Sequence, residues 1–294
     1  MTAGTPAALF APGFFGSGPV HTAVAIGAIV AVVSGAVGVF TVVRGQSFAG
    51  EALGDITTSG GSVAPLLGVA PLWMFVAVAV AAAGAMELAG VQRVRGRDLA
   101  TGIVLGLGLG LAALFFYLDT VHTSDTGITV TILFGSIFTV AGSTVVLAAA
   151  CGAATLCVLA ALFRPLMLSS LSAELAAARG IRVRWVGALY LVVLAGAVAL
   201  AAITIGTILS TALLVGPAAT ALRVTRSPGR AVVAATLIGL AAVWIGILLA
   251  YDSYYWPPAG HGWPVSFFVV ALILVFYLLA GLVRRGGATG PATS

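Results

Sequence analysis

The chain has 294 residues, of which 61% are hydrophobic and only 7% are charged, against about 25% charged in an ordinary soluble domain. That deficit excludes a water-facing surface of normal size. The net charge of +5 does not point to nucleic acid either, because the arginines fall in short loops between apolar segments, where basic residues orient a membrane protein. All thirteen basic residues are arginine. A phosphate-binding P-loop needs a lysine, so any ATPase driving this chain is another polypeptide. The composition reads as one all-α polytopic membrane domain over residues 1–294, without a soluble module.

Residues 1–19 contain no arginine and so lack the positive n-region of a cleavable signal peptide. Pro6, Pro12, Gly13, Gly16, Gly18 and Pro19 break this segment too often for a spanning helix, and it reads as a short interfacial stretch and flexible terminus. A spanning helix needs roughly 20 mostly apolar residues. Eight strong candidates follow: 20–43, 71–92, 99–118, 141–163, 186–204, 205–222, 231–250 and 264–283. A weaker ninth, 48–69, is rich in Gly, Ser and Thr and carries Glu51 and Asp55. The runs are too long and too uniformly apolar for the two-residue alternation of a barrel.

Arginines mark alternate loops: Arg44; Arg93, Arg95 and Arg97; Arg164, Arg179, Arg182 and Arg184; Arg223, Arg226 and Arg230; Arg284 and Arg285. The intervening loops have none. Arginine-bearing loops belong on the cytoplasmic side. The alternation works throughout if 48–69 crosses and a tight turn near 203–206 returns the chain. It places the C-terminus inside, and the N-terminus outside if 20–43 is the first crossing.

Glu51 and Asp55 stand four apart and share a helix face. An ionisable residue at a bilayer centre costs roughly 2.5–3.5 kcal/mol on insertion scales, so two acids a turn apart suit a wet cavity or a passing cation. The alternative is a solvated pair at the cytoplasmic interface. Glu87 is placed to pair with Arg93 or snorkel. Gly106, Gly108 and Gly110 lie inside an apolar run and read as packing glycines. His21, His122 and His261 sit at outer ends as interfacial residues or a metal's first contacts. Asp119, Asp125 and Asp252 are expected in solvated outer loops. Cys151 and Cys157, six apart, point to different helix faces and are expected as free core thiols.

The segment 164–185 is the longest cytoplasmic loop. Leu168, Leu171, Leu175 and Ala178 form one apolar stripe on a helix, capped by Ser170 or Ser172 and ended by Gly180. Such a helix lies on lipid or docks into a partner's groove. In the run from Ser210 to Thr220, small residues permit close helix approach, and Gly216-Pro217 marks either a packing kink or a gate. Tyr251, Tyr254, Tyr255, Trp256 and Trp263 read as an interfacial aromatic belt. The tail after Arg285 has a disordered composition.

Four stretches carry a resemblance. They are Arg44-Gly45-Gln46-Ser47-Phe48-Ala49-Gly50-Glu51 with Asp55, Leu133-Phe134-Gly135-Ser136-Ile137, Glu174-Leu175-Ala176-Ala177-Ala178-Arg179-Gly180, and Leu213 to Ala221 followed by Arg223-Val224-Thr225-Arg226. Over residues 20–283 the chain resembles the permeases of the manganese/zinc/iron-chelate class of bacterial ABC importers. The resemblance implies eight or nine transmembrane helices in the cytoplasmic membrane and a homodimer with the pore at its axis. Two ATPase subunits would grip a coupling helix at Glu174, Ala176, Arg179 and Gly180, and an extracytoplasmic metal-binding protein would deliver the ion. The pore acid and histidine map onto Glu51 and Asp55. Here a histidine position is aspartate, and an all-oxygen pair tilts the cargo towards Mn²⁺ or Fe²⁺ and away from Zn²⁺.

The expected function is therefore a transport subunit, with no catalytic residues or permanently bound cofactor of its own and with ATP on partner chains. A secondary transporter, with Glu51 and Asp55 as proton or sodium sites, and a passive pore or scaffold are the other classes.

Overall fold

The computed structural model describes residues 14–89, 97–123, 132–135, 137–207, 210–256 and 262–286. Ten α-helices and no strand occur among them: α1 (Gly18–Val43), α2 (Ser47–Leu67), α3 (Pro71–Leu88), α4 (Arg97–Thr123), α5 (Gly142–Leu171), α6 (Ala173–Ala178), α7 (Val183–Ile205), α8 (Ser210–Val224), α9 (Pro228–Ser253) and α10 (Val265–Gly286). A short 3-10 turn, Phe14–Gly16, precedes α1. Residues 1–13 and the tail beyond 286 lie outside the described residues.

The helix starts follow local chemistry. Ser17 caps α1, its Oγ accepting from the Val20 N–H at 3.4 Å, and a proline stands in the first turn of α1, α3 and α9, where its missing N–H is no loss. Gly68, at φ +64°, closes α2 in the left-handed conformation that glycine reaches without strain.

Seven helices, α1, α3, α4, α5, α7, α9 and α10, are long and apolar enough to cross a membrane. The other two long elements differ for separate reasons. α2 has 21 residues but is polar. α8 has 15 residues, about 22 Å at 1.5 Å per residue, which is shorter than a hydrocarbon core of about 30 Å.

Two spans form the centre. In α1 and α7, 72% of the apolar stretch is buried, against 22–33% for the other five. α1 packs against α5, α7, α8 and α9, and α10 closes on α8 and α9. α2 packs against α3, α4 and α7 and reaches α8. The arginine-bearing ends come together as the alternation requires. Arg184 at the start of α7 meets Glu87 at the end of α3 at 3.4 Å, and Arg44 after α1 meets Ser169 near the end of α5 at 3.1 Å.

Helices in lipid gain no hydrophobic drive from one another and rely on close packing. At Gly38 of α1 an added Cβ would collide with the Leu214 carbonyl oxygen of α8. At Gly108 of α4 it would lie 2.6 Å from the Ile56 Cα of α2. Gly106 and Gly110 have no such neighbour, so only one of the three expected packing glycines makes a contact.

The structure corrects several expectations. Asp119 and Asp252 are not solvated loop residues. α4 and α9 run past their expected ends, and these side chains are 1% and 5% exposed. Asp125 lies outside the described residues. Cys151 and Cys157 are free, but Cys157 is exposed on α5 and so is not a core residue. Glu87 pairs with Arg184; Arg93 lies outside the described residues. The turn expected near 203–206 falls at Gly206–Thr207, and the span expected over 205–222 is instead the shorter α8, Ser210–Val224.

Gly38→Ala is expected to cost about 1–3 kcal/mol through overpacking and to lower the Tm of the detergent-solubilised protein. Gly106→Ala, with open space around it, should leave the Tm unchanged. Equal Tm values for the two variants would contradict the α1–α8 approach.

Candidate functional site

α1 and α2 are joined by a three-residue reversal. The Arg44 N–H still bonds the Phe40 carbonyl at 2.9 Å, and the Gln46 N–H returns to the Thr41 carbonyl at 2.8 Å. Gly45 between them takes φ +62°. This turn sets the register of α2, so Ser47, Phe48, Glu51 and Asp55 follow on one side of that helix.

Glu51 and Asp55 are half-buried, whereas Ala52 and Leu53 between them are fully buried. No hydrogen bond or ion pair joins either carboxylate to another described residue. Glu51 faces a cleft of about 730 Å³ between α2, α8 and α10. Its walls include Ser47 and Phe48 of α2, Thr211, Val215 and Gly216 of α8, and Ile273 and Tyr277 of α10. Asp55, one turn further along, is not part of that lining. The start of α8 passes between the two levels: a Cβ on Gly54 would lie 3.1 Å from Ser210 Oγ and 3.6 Å from Thr211 Oγ1. The polar groups gathered here are carboxylates and hydroxyls, without imidazole or thiolate. Among the described residues no cluster of three or more His, Cys, Asp or Glu forms a ready-made metal cage.

The break between α7 and α8 is held from outside. Gly206 takes φ +85°, and a Cβ there would strike the Leu133 carbonyl oxygen and lie 2.6 Å from the Gly135 N. The Thr207 N–H donates to the Ile132 carbonyl at 3.2 Å. The Leu133-Phe134-Gly135 stretch thus docks on the break; Ser136 lies outside the described residues. Pro217 is buried in α8 and faces Gly239 of α9, whose added Cβ would lie 3.6 Å away. Gly216 leaves room for Ile273 of α10.

After α5, Ser172 takes an extended φ of −155°, ends that helix and caps α6, its Oγ accepting from the Leu175 N–H at 3.2 Å. The single amphipathic helix expected across 164–185 is therefore two pieces. Leu168 and Leu171 belong to α5, and α6 spans only Ala173–Ala178. Ala176 is fully buried, while Glu174, Arg179 and Gly180 are exposed. Glu174 stands in the first turn of α6, where a carboxylate complements the helix dipole. Gly180 takes φ +78°, and the Ile181 N–H closes onto the Ala176 carbonyl at 3.0 Å. Beside this helix a groove of about 670 Å³ is lined by Arg164, Met167, Leu171 and Arg179.

His21 and His122 are exposed at the outer ends of α1 and α4; His261 lies outside the described residues. Of the aromatic residues read as a belt, Tyr254, Tyr255 and Trp263 are exposed and linked edge-to-face or tilted with Tyr251 and Phe267. Two groups escaped the sequence reading. Tyr190, fully buried in α7, bonds Thr41. Arg223 at the end of α8 lies over the ring of Tyr277 and bonds its hydroxyl at the edge of the cleft. The one available signal was a tyrosine inside an apolar run, since a buried phenol needs a partner.

Known proteins resemble the chain over most of its length. The ABC 3 transport family matches the chain over residues 19–281. The manganese import system permease protein ScaB of Streptococcus parasanguinis is 31% identical over 231 residues, covering 79% of this chain and 80% of that protein. The manganese transport system membrane protein MntC of Listeria innocua is 26% identical over 245 residues, covering 83% and 85%. Among solved structures, PsaBC from Streptococcus pneumoniae in complex with Fab superposes with a TM-score of 0.78 at 25% identity, covering 91% of this chain and 92% of that one.

With Cys151 and Cys157 replaced by serine, single cysteines at positions 51 and 55 should react with a membrane-impermeant methanethiosulfonate, and one at the fully buried position 53 should not. A silent cysteine at 51 would mean that the cleft is closed to water.

Proposed function

The chain belongs to the ABC 3 transport family, and from that premise we propose that it is the membrane-spanning permease of an ATP-driven importer of divalent transition-metal ions, with manganese as the first cargo. It is a multi-pass protein of the bacterial cell membrane and a transport subunit in a complex with other chains.

One observation carries the cargo assignment: Glu51 and Asp55 share a face of α2 with no charge partner among the described residues, and the described polar groups around them offer only oxygen. Oxygen donors suit Mn²⁺ and Fe²⁺, and the missing imidazole removes the ligand that best suits Zn²⁺. The raw affinity order still favours zinc over manganese, so ligand type has to supply the selectivity. The manganese names of the relatives point the same way.

On this reading α2 and α8 also cross, giving nine crossings, with every arginine loop and the C-terminus inside. The cleft between α2, α8 and α10, apolar except for Glu51 and a few hydroxyls, is open in one chain. A second copy set against it encloses a path with an acid pair from each side. Gly216 lets α8 approach α10 along that path, and Pro217 packs α8 against Gly239 of α9. Hydrolysis belongs to two separate ATPase chains, because this one has no lysine for a P-loop. They grip α6 through Glu174, Ala176, Arg179 and Gly180. An extracytoplasmic metal-binding protein delivers the ion at the aromatic outer face. When ATP closes the ATPases, the paired α6 helices move together, the path opens outward, and the ion passes the acids in transient coordination. Binding there is weak, since a pathway site must also release.

The test is uptake into vesicles holding the chain with its ATPase and binding protein. ATP-dependent accumulation of Mn²⁺ is expected, with Fe²⁺ next and Zn²⁺ last. Glu51→Ala with Asp55→Ala should reduce uptake to background without loss of the assembled complex, and Glu174→Arg should abolish the ATP-dependent accumulation. Uptake that follows a proton or sodium gradient and ignores ATP would sink this assignment in favour of a secondary transporter.

A further inference from the structure

Among the described residues Tyr190 is the largest fully buried side chain. Its hydroxyl is 2.7 Å from Thr41 Oγ1 and donates to the Val37 carbonyl at 3.1 Å, so the phenol ties α7 to the last turns of α1. Arg44 lies over the same ring, its Cζ 5.4 Å from the centroid. The Arg44 guanidinium reaches further: Nη1 donates to Ser169 Oγ at 3.1 Å and approaches Ser170 Oγ at 3.5 Å. Both serines also donate to the Leu166 carbonyl, at 3.1 and 2.6 Å, so they are held in the helix when the arginine meets them.

The positions of these residues give the contacts their meaning. Ser169 and Ser170 stand three and two residues before Ser172, the cap from which α6 starts. Arg44 opens the reversal into α2, and Glu51 follows seven residues later. The carbonyl of Thr41, whose hydroxyl meets Tyr190, accepts the Gln46 N–H that fixes this reversal. A displacement of α6 therefore reaches the acid-bearing helix through a short series of contacts: the end of α5, the Arg44 fork, and the α1–α2 turn braced on Tyr190.

We propose that Arg44, Tyr190 and Thr41 are positioning residues that transmit the movement of α6 to α2 and so couple ATP hydrolysis on the partner chains to the exposure of Glu51. The proposal rests on the importer reading above and names no further ligand. Stability alone is a weak reason for these groups, because hydrogen bonds between membrane helices contribute little on average. A planar fork on an aromatic face is a device that lysine does not reproduce. Spatial intermediacy by itself does not establish coupling, so the test has to read coupling separately from folding.

The experiment measures ATP hydrolysis and Mn²⁺ accumulation in the same vesicles and takes ions moved per ATP as the readout. Tyr190→Phe keeps the ring and removes the hydroxyl. Ser169→Ala with Ser170→Ala removes the receiving end, and Arg44→Gln removes the charge. Each should leave ATP hydrolysis within about twofold of wild type and lower the ion-to-ATP ratio by about tenfold, within the usual range of coupling energies. Arg44→Lys should recover only part of the ratio. A second reading, the labelling rate of a cysteine at position 51, should rise with ATP in the wild-type background and be insensitive to ATP in the Tyr190→Phe background. An unchanged ratio in all variants, or hydrolysis and uptake falling in proportion with the amount of assembled complex, overturns the coupling role and leaves the importer reading standing. Absence of ATP-driven uptake by the wild-type complex overturns both.

Discussion

Hydrocarbon supplies no hydrogen-bond partner, so a helix as polar as α2 can stand among spanning helices only if its own structure and its neighbours satisfy it. Most of its hydroxyls turn back on the backbone. Thr57 donates to the Gly54 carbonyl at 2.6 Å, Ser59 to Ile56 at 2.6 Å, and Ser62 to Thr58 at 2.9 Å. α3, α4 and α7 cover the remainder. That covering is close because glycines on both sides of the contact remove the Cβ that would hold the backbones apart, as at Gly108 against Ile56 and at Gly60 against the Met74 carbonyl. One strip is left uncovered, and it carries the two groups that no in-helix bond can neutralise, Glu51 and Asp55. The wrapping of α2 and the exposure of the acids are thus one arrangement.

The same constraint shapes α8. A break in a helix at membrane depth frees carbonyl and amide groups, which is tolerated where other protein segments receive them. The Gly206–Thr207 break is met by Ile132–Gly135, which accepts the Thr207 N–H and fits against a glycine that has no side chain to exclude it. Starting afresh at Ser210 lets α8 be short, and its small residues bring it onto α1 at Gly38 and onto α2 at Gly54. The acids, the hydroxyls of Ser210 and Thr211, and the cleft under α10 meet because α8 starts at the level of Gly54.

Apolar run length was enough to read seven of the helices from the sequence, because a spanning segment is long and uniform; the run 205–222 looked as long, yet α8 has 15 residues. The arginine alternation correctly grouped the ends that the structure brings together at Glu87–Arg184 and Arg44–Ser169. Helix ends were less legible. Arg164 looked like a stop, yet α5 continues through Pro165 to Leu171, since an arginine at an interface can snorkel without ending a helix. Asp119 and Asp252 looked solvated because a polar residue after an apolar run resembles a loop, and only packing at the outer ends of α4 and α9 buries them. The pairing of Glu51 with Asp55 was visible in a four-residue spacing. The walls that α8 and α10 set opposite Glu51 lie more than 150 residues away in the chain and left no local trace. Tyr190 was hidden for the same reason, its partners Val37 and Thr41 being some 150 positions upstream.

The incompleteness of the acid site in one chain fits a pathway better than a store. On the proposed reading, Glu51, Asp55, Ser210 and Thr211 offer Mn²⁺ four ligands if each binds through one oxygen, short of the roughly six of an octahedral array. Water or a second copy has to complete the shell. A site finished by exchangeable ligands holds its ion loosely, and a site shared between two chains changes its ligand count whenever the chains move. Both properties favour release over retention. A fully furnished cage of histidines and carboxylates would bind more tightly and conduct less.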